Sequence, residues 1–222
     1  MTFDVNVILE NLPELTRGFF MTLALWIGGT LGAVAAGFAL AVLRRYGPKA
    51  ADRLAGLFVE VVRGSPFLIQ VFLIYYGGPF IGLSLDAVPA GAFCLILYGA
   101  AYFSEIFRAG FQAVPAGHIE AAECLGFTRG QTVRRILLPE MALLVLPPAT
   151  NMSIILLKET AILSIITVPE MTLTIGAIGY QQYAFLESIF LLALLYWALV
   201  ELAGRLGKAA EARLSKLRIA PA

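Results

Sequence analysis

Five charged residues lie within otherwise apolar stretches of this chain, and they limit the chemistry that it can perform. They are Glu60, Arg63, Glu105, Lys158 and Glu159. A charged side chain at the centre of a membrane helix costs about 2.5–3.5 kcal/mol, so each should face protein or water rather than lipid. A carboxylate held there can brace a helix bundle or bind a cationic group. No set of nucleophile, base and orienting group is visible, so we expect no catalytic residue and a chain that is not an enzyme.

The elements that must hold these charges are membrane spans. Hydrophobic residues make up 59% of the 222 residues, charged residues make up only 14%, and the mean hydropathy is +0.84. A helix needs about 20 residues to cross a bilayer. The apolar runs therefore predict an all-α integral membrane protein, one domain over residues 1–222, with about five transmembrane helices. The predicted spans are 18–43, 54–77, 88–107, 141–168 and 184–203.

The first run has a surface of small residues, on which another helix can pack closely. Its glycines are Gly28, Gly29, Gly32 and Gly37. The fourth run is longer than one untilted span and contains Pro147 and Pro148 as well as the polar residues 158–160. This pattern predicts a break in the helix near Lys158, of the kind that transporters use to place a solute.

Basic residues predict the orientation in the membrane. Thirteen of the 16 Lys and Arg residues follow the first span, separate the third from the fourth, or lie in the C-terminal tail. The loops near Asp86 and Glu170 hold none. Because cytosolic loops carry the excess of Lys and Arg, we expect the N-terminus outside and the C-terminus inside. The clusters are explained as topology signals, so no nucleic-acid partner is expected.

A polar segment, 115–139, lies between the third and fourth runs. Pro115 and Gly117 interrupt the preceding helix, residues 119–125 predict a short helix, and Gly126 is a natural helix end. Residues 131–138 predict a second short helix that Pro139 terminates. Composition alone is also compatible with an ordinary amphipathic helix pair on the membrane surface. His118, the only histidine, is expected in an exposed loop, and one histidine cannot form a histidine metal cluster.

The spacing within this segment resembles the coupling motif of ATP-binding cassette (ABC) import permeases. The shared features are EAA at 120–122, then Gly126, Ile136 and the pair Leu138-Pro139. RGSPFLIQVFLIYYG from Arg63, AYFSEIFRAG from Ala101, LPPATN from Leu146 and LLKETAILSIITVPEMT from Leu156 resemble the polar amino acid uptake subfamily, so the resemblance covers about residues 16–197. Cys124 and Glu123 depart mildly from that pattern, in which a small residue and a basic residue are usual.

The resemblance implies a multi-pass permease subunit of a bacterial cytoplasmic (inner) membrane that imports a polar amino acid. A pair of cytosolic ATP-binding subunits would hold ATP and Mg, an external solute-binding protein would deliver the solute, and a second permease subunit, identical or related, would complete the pathway. No phosphate-binding loop of the G-x-x-x-x-G-K-[ST] type occurs in the sequence, so no cofactor is expected in this chain. The residues expected to couple to the ATPase are Glu120, Ala121, Ala122, Gly126, Ile136, Leu138 and Pro139.

The expected solute site follows from the cost of buried charge. Glu159 and Glu105 are predicted to face the translocation path and to meet the α-ammonium or a cationic side chain of an amino acid. Neutral hydrogen bonds would come from Asn151, Ser104, Thr160 and Ser164. Alternatively, both glutamates only brace the bundle by pairing with Arg63, Arg108 or Lys158. Glu60 and Arg63, three residues apart, are expected to pair on one helix face.

Two other classes of function are alternatives. A secondary transporter driven by an ion gradient should show internal repeats, and no convincing similarity between the two halves of the chain is found. A membrane scaffold would not explain the spacing in segment 115–139. Within ATP-driven import, a sulfur-containing amino acid, an opine-like derivative or another small zwitterion is the alternative solute.

Overall fold

The computed structural model of this protein describes residues 6–218, with side chains described over residues 6–216. Over this range the backbone forms helices joined by short turns, without β-strands. The α-helices are α1 (Asn6–Glu10), α2 (Leu12–Tyr46), α3 (Lys49–Gly64), α4 (Phe67–Phe72), α5 (Ala87–Ala113), α6 (Ala116–Cys124), α7 (Arg129–Thr132), α8 (Leu138–Glu159), α9 (Met171–Gln181) and α10 (Phe185–Arg218). Turns of different pitch extend some of them: π-helical turns at Leu73–Gly77 and Val133–Leu137, and 3-10 turns at Gly78–Ile81 and Thr160–Ile166.

Four helical stretches of the described chain are long and apolar enough to cross a membrane. They are Leu12–Tyr46, Ala87–Ala113, Arg129–Ile166 and Phe185–Lys216. A fifth candidate is the bent pair formed by α3 and the stretch Phe67–Ile81. The prediction of an all-α membrane protein with about five membrane helices is therefore confirmed.

The second predicted span, 54–77, is wrong as one straight helix. α3 and the stretch that follows it meet at an angle of 109°. Pro66 explains the break, because the residue before a proline is driven out of the helical region, and Ser65 is extended with a ψ of 145°. The buried side chain of Gln70 fixes the bend, since its amide donates to the carbonyl of Val62 at 2.7 Å and to that of Ser65 at 3.1 Å.

The composition of α3 differs from that of a spanning helix. It buries Ala55, Val59 and Val62, which are spaced by four and three residues, and exposes most of its opposite face. Five of its 16 residues are charged. A helix with one apolar stripe and several charges packs one face on the bundle and keeps the other face in a more polar environment.

The fourth predicted span is a long helical stretch that tightens near its end. Pro147 and Pro148 lie inside α8 without ending it. The α-helix continues to Glu159 and then becomes a 3-10 turn over Thr160–Ile166. The break predicted near Lys158 is thus a change of helical pitch directly after Glu159, where the helix becomes narrower and each residue rises farther along its axis.

Glu170 lies in the short connection between the 3-10 turn Thr160–Ile166 and α9, near the loop that the sequence predicted, and it is buried there. It is 0% exposed and begins α9, a helix that the sequence did not predict. Its carboxylate accepts hydrogen bonds from the backbone N–H groups two and three residues later, both at 2.8 Å, and from the hydroxyl of Tyr196 on α10 at 3.1 Å. The hydroxyl oxygen of Thr22 on α2 accepts from the N–H of Met171 at 3.0 Å. These bonds fix α9 between α2 and α10.

Helices α2 and α5 pack against each other through small residues. A Cβ atom at Gly37 would lie 2.5 Å from the Cβ of Phe103 and 2.9 Å from the carbonyl oxygen of Ala100. A Cβ atom at Gly28 would meet only open space. The predicted close packing is confirmed for the glycines that face α5, and Gly28 is an exception because it points outward. The glycines that face α5 are Gly29, Gly32 and Gly37.

Replacing Gly37 by Val tests this contact, and Gly28→Val is the matched control. We expect Gly37→Val to lower the free energy of unfolding by about 1–3 kcal/mol, because the added carbons overlap α5. Gly28→Val should leave it nearly unchanged. Thermal unfolding of the two purified variants in detergent measures the difference, and equal melting temperatures would contradict the described packing.

Candidate functional site

Segment 115–139 is organised around the turn at Gly126. α6 ends there in a Schellman motif, in which the N–H of Phe127 donates to the carbonyl of Ala122 at 3.0 Å and the N–H of Gly126 donates to that of Glu123 at 2.9 Å. Gly126 has a φ of 77°, a left-handed conformation that glycine adopts without a steric penalty. The prediction that Gly126 ends the first helix of the segment is confirmed.

The second helix of the segment begins with a capping box. The hydroxyl oxygen of Thr128 accepts from the backbone N–H of Gln131 at 3.4 Å, and the side-chain oxygen of Gln131 accepts from the backbone N–H of Thr128 at 2.8 Å. Each residue thereby satisfies a backbone donor of the other. The turn between α6 and α7 therefore has a geometry fixed from both sides.

The expectation that Pro139 terminates the second helix is wrong. α7 continues through the π-helical turn Val133–Leu137 into α8, where Pro139 is the second residue. In the π turn the N–H of Leu138 bonds to the carbonyl of Val133, five residues back. The wider turn before Pro139 accommodates a residue that has no N–H to donate. Residues 129–166 consequently form one helical stretch from the segment into the bundle.

The seven residues predicted to contact an ATPase divide between two sides of the segment. Ala122 is buried, at 1% exposed, and Ile136 and Leu138 are half-buried. The others are exposed: Glu120, Ala121, Gly126 and Pro139. Leu125, next to Gly126, is 77% exposed and adds a large apolar side chain to this side. One side of the segment is therefore available to a partner, and the other packs against the bundle.

Segment 115–139 contacts the bundle, but a cavity remains between it and the end of α2. His118 lies in α6, not in the loop that was expected, and its Nδ1 is 2.8 Å from a carboxylate oxygen of Glu140 near the start of α8. A cavity of about 280 Å³ separates the C-terminal end of α2 from the segment. Its lining includes Arg45 from α2 and Phe127 from the turn. The segment therefore does not pack closely against the end of α2 at this point.

Glu105 lies in a network of arginines from three helices. Arg44 of α2 and Arg108 of α5 both donate to its carboxylate, with Nη2 of Arg108 2.5 Å and its Nε 3.0 Å from Oε2. Nη1 of Arg63 on α3 lies 3.9 Å from the same oxygen. Arg44 also contacts Asp52 at 3.3 Å. The carboxylate therefore joins α2, α3 and α5 at one point.

Arg63 pairs across helices rather than along its own helix. Within the described residues no ion pair joins it to Glu60, which is exposed, so the predicted Glu60–Arg63 pair is wrong. For Glu105 the contacts match the bracing alternative, because two of the arginines that it was expected to meet, Arg63 and Arg108, are the ones it contacts. From the sequence, Arg44 was interpreted only as part of the basic cluster that sets the orientation, because its partner Glu105 is 61 residues away.

Glu159 has a different environment. It is half-buried at the end of α8, and its Oε2 is buried without a hydrogen-bond partner in the described part of the chain. Lys158 beside it is exposed, and Tyr98 of α5 is close enough to interact with Glu159 electrostatically. A buried carboxylate oxygen without a donor is costly, so it is open to a donor from a bound molecule.

The four neutral residues predicted for the solute site have different roles. Thr160 is fully buried, and its hydroxyl, like that of Ser164, donates to the backbone carbonyl three residues earlier at 2.7 Å. Asn151 is exposed on α8. Ser104 is 0% exposed, and its hydroxyl has no partner among the described residues. Thr160 and Ser164 therefore stabilise the 3-10 turn. The polar groups of Asn151 and Ser104 are not used in hydrogen bonds within the described residues.

Polar side chains on α5 extend from Tyr98, which lies near Glu159, to Glu105. The hydroxyl of Tyr98 donates to that of Tyr102 at 3.4 Å, and the guanidinium of Arg63 lies 5.3 Å from the centre of the Tyr102 ring. Tyr98, Tyr102 and Glu105 follow each other at steps of four and three residues, which places them on one face of the helix. This spacing is a signal in the sequence that the prediction of the site overlooked.

Comparison with known proteins places this architecture among transport proteins. Residues 15–216 match the family described as binding-protein-dependent transport system inner membrane component. The chain is 31% identical to the probable amino-acid ABC transporter permease protein YckA of Bacillus subtilis, over 90% of this chain and 89% of that protein. It is 34% identical to the glutamine transport system permease protein GlnP of Escherichia coli, over 78% of this chain and 80% of that protein.

A solved structure has the same fold. The chain in the crystal structure of an amino acid ABC transporter with histidines matches with a TM-score of 0.88 at 32% identity, over 96% of this chain and 100% of that chain. ATP hydrolysis in such transporters belongs to a separate subunit, so the permease itself is not an enzyme. This chain therefore belongs to the family of binding-protein-dependent transport system inner membrane components, as a multi-pass permease subunit of the amino-acid ABC transporter type.

Proposed function

We propose that this chain forms the membrane pathway of an ATP-driven importer for a polar amino acid. The basic residues of segment 115–139 and of the C-terminal helix face the cytosol in this proposal, and the N-terminus is outside. A pair of cytosolic ATP-binding subunits binds ATP and Mg, an external solute-binding protein delivers the amino acid, and a second permease subunit, identical or related, completes the pathway.

The observation that carries the proposal is the continuous helical stretch Arg129–Ile166. It begins at the turn of segment 115–139 and contains Glu159 near its other end. An ATPase that moves the exposed side of the segment would therefore move the helix that holds the solute carboxylate. Because the stretch is helical throughout, it provides a continuous backbone connection through which displacement at one end is transmitted toward the other.

The solute site in this proposal is centred on Glu159. Its buried, unpartnered oxygen is suited to accept a hydrogen bond from the α-ammonium or a cationic side chain of an amino acid. Asn151 and Ser104 add neutral polar groups, and Thr160 and Ser164 hold the turn that follows Glu159. Glu105 is the second carboxylate of the path, on the side of segment 115–139. It also forms ion pairs with Arg44 and Arg108.

Amino acids are favoured as solutes by the relatives, two of which are named as an amino-acid and a glutamine permease. A sulfur-containing amino acid, an opine-like derivative or another small zwitterion carries the same ammonium and carboxylate groups and is the second candidate. A carrier driven by an ion gradient, the other alternative from the sequence, has no support in the family or in the fold.

Ala121→Arg tests the contact with the ATPase, with Ala50→Arg as its control. Both alanines are exposed on helices, but only Ala121 lies on the exposed side of segment 115–139. An unpaired charge buried at a protein contact costs about 2 kcal/mol or more, so ATPase binding should weaken about tenfold or more. Co-purification of the ATPase and ATP-dependent uptake measure the effect. Full coupling in Ala121→Arg would contradict the assigned contact.

Glu159→Gln tests the solute carboxylate, with Glu60→Gln as its control. The substitution keeps the shape but removes the charge, so a charge-assisted hydrogen bond worth about 1.5–3 kcal/mol is lost. We expect arginine uptake to fall about tenfold or more, with assembly and basal ATP hydrolysis unchanged. Glu60→Gln should transport normally. Loss of the assembled complex in Glu159→Gln would instead assign Glu159 a bracing role.

A further inference from the structure

A second cleft lies on the segment side of Glu159, around Glu105. It has a volume of about 500 Å³, within the range of small-molecule sites. Arg63, Glu105 and Arg108 form its polar part, and Leu144 and Pro148 of α8 contribute an apolar wall. A site that combines charged donors with an apolar wall can bind a small polar molecule that also has an aliphatic portion.

The ion-pair network at this cleft has more positive than negative groups. Three guanidinium groups, those of Arg44, Arg63 and Arg108, share the two carboxylates of Glu105 and Asp52. One positive charge of the network is therefore left without a carboxylate of its own. Such an excess favours the binding of one further anionic group.

Arg63 is the least engaged of the three arginines. Its contact with Glu105 is long, at 3.9 Å, and its side chain is 45% exposed, compared with 17% for Arg44. Among the described residues it has no hydrogen bond, and Tyr102 orients it through its ring at 5.3 Å. A guanidinium with free N–H groups and a fixed orientation is suited to bind a carboxylate with two parallel hydrogen bonds.

The backbone that carries Arg63 is held in place. Arg63 lies in the last turn of α3, next to the bend at Pro66. Gln70 donates to the carbonyl of Val62, directly before Arg63, at 2.7 Å, and to that of Ser65 at 3.1 Å. The end of α3 is therefore fixed by a buried side chain, which presents Arg63 to the cleft in a defined position.

We propose that Arg63 binds the α-carboxylate of the transported amino acid in this cleft. The cleft is then a second binding site along the path, which the solute reaches after its ammonium group has left Glu159. Leu144 and Pro148 contact the aliphatic part of the solute there. Glu105 and Arg108 maintain the position of Arg63 and balance its charge. This inference rests on the proposed import of amino acids. It adds the α-carboxylate as the group by which the solute is recognised as it moves from Glu159 toward the cytosol.

A protection experiment on the assembled complex tests the proposal. Leu144→Cys places a thiol in the cleft, where Leu144 is 43% exposed. Cys124→Ser removes the exposed native thiol, and buried Cys94 remains. The nucleotide-free complex in nanodiscs is labelled with a maleimide in the presence of L-arginine, L-glutamine or L-argininamide, which lacks a free carboxylate.

We expect L-arginine and L-glutamine to slow labelling of the introduced thiol, and L-argininamide to be much weaker. In Arg63→Gln the apparent affinity for L-arginine should fall about tenfold or more, because a charge-assisted hydrogen bond is lost. Arg53→Gln, an exposed arginine on the same helix, should protect like the parent, and Arg63→Lys should retain part of the protection. Melting temperatures of the variants establish that each is folded.

Equal protection by L-argininamide, or protection that survives Arg63→Gln, would overturn the proposal. Slower labelling caused by phosphatidylglycerol in the nanodisc, without an effect of amino acids, would also overturn it and assign the cleft to a lipid phosphate. Amino-acid protection without ATP-driven uptake by the parent complex would refute the proposed function while leaving the carboxylate site. Uptake without protection would refute the site alone.

Discussion

Polar groups inside an apolar helix bundle need partners within the protein, because the membrane core offers them no water. Three side chains meet this need in different ways. Gln70 satisfies carbonyls at the bend between α3 and α4, Glu170 accepts the first N–H groups of α9, and Glu105 joins arginines from α2, α3 and α5. Each lies where a helix ends or where helices meet, so the irregular parts of the bundle are held by polar contacts and its regular parts by small residues such as Gly37.

The same constraint distinguishes carboxylates that several donors engage from one that keeps an oxygen without a donor. Glu170 and Glu105 are engaged by several donors, whereas Glu159 keeps a buried oxygen without a hydrogen-bond partner among the described residues. A missing donor costs stability, and it is tolerable where a solute supplies the donor during part of the transport cycle. The helical stretch Arg129–Ile166 gives that carboxylate a mechanical link to the segment at which an ATPase would bind. Arg63 of α3 lies over the ring of Tyr102, farther along α5 from Tyr98. Glu159 and Arg63 therefore offer charges complementary to those of a zwitterion.

Local chemistry allowed much of this architecture to be predicted from the sequence. The left-handed conformation at Gly126 and the close packing at Gly37 follow from the absence of a side chain, and long apolar runs predict spans. Other features differ from what the local sequence suggested or have no local signal. Pro139 suggested a helix end, but a π-helical turn accommodates it. The 109° bend had a local signal in Pro66, but the apolar residues on both sides of it predicted a single span. Neither the Arg44 partner of Glu105 nor the burial of Glu170 has a local signal, since both arise from the assembled bundle.

In the proposed function, a partner ATPase supplies the energy with which this permease moves an amino acid. The most direct measurement is uptake of a panel of labelled amino acids into liposomes that contain this chain with its ATP-binding and solute-binding partners. We expect uptake that requires both ATP, supplied on the side of the ATP-binding subunits, and the external binding protein. Uptake driven by an ion gradient in the absence of any ATPase would contradict it.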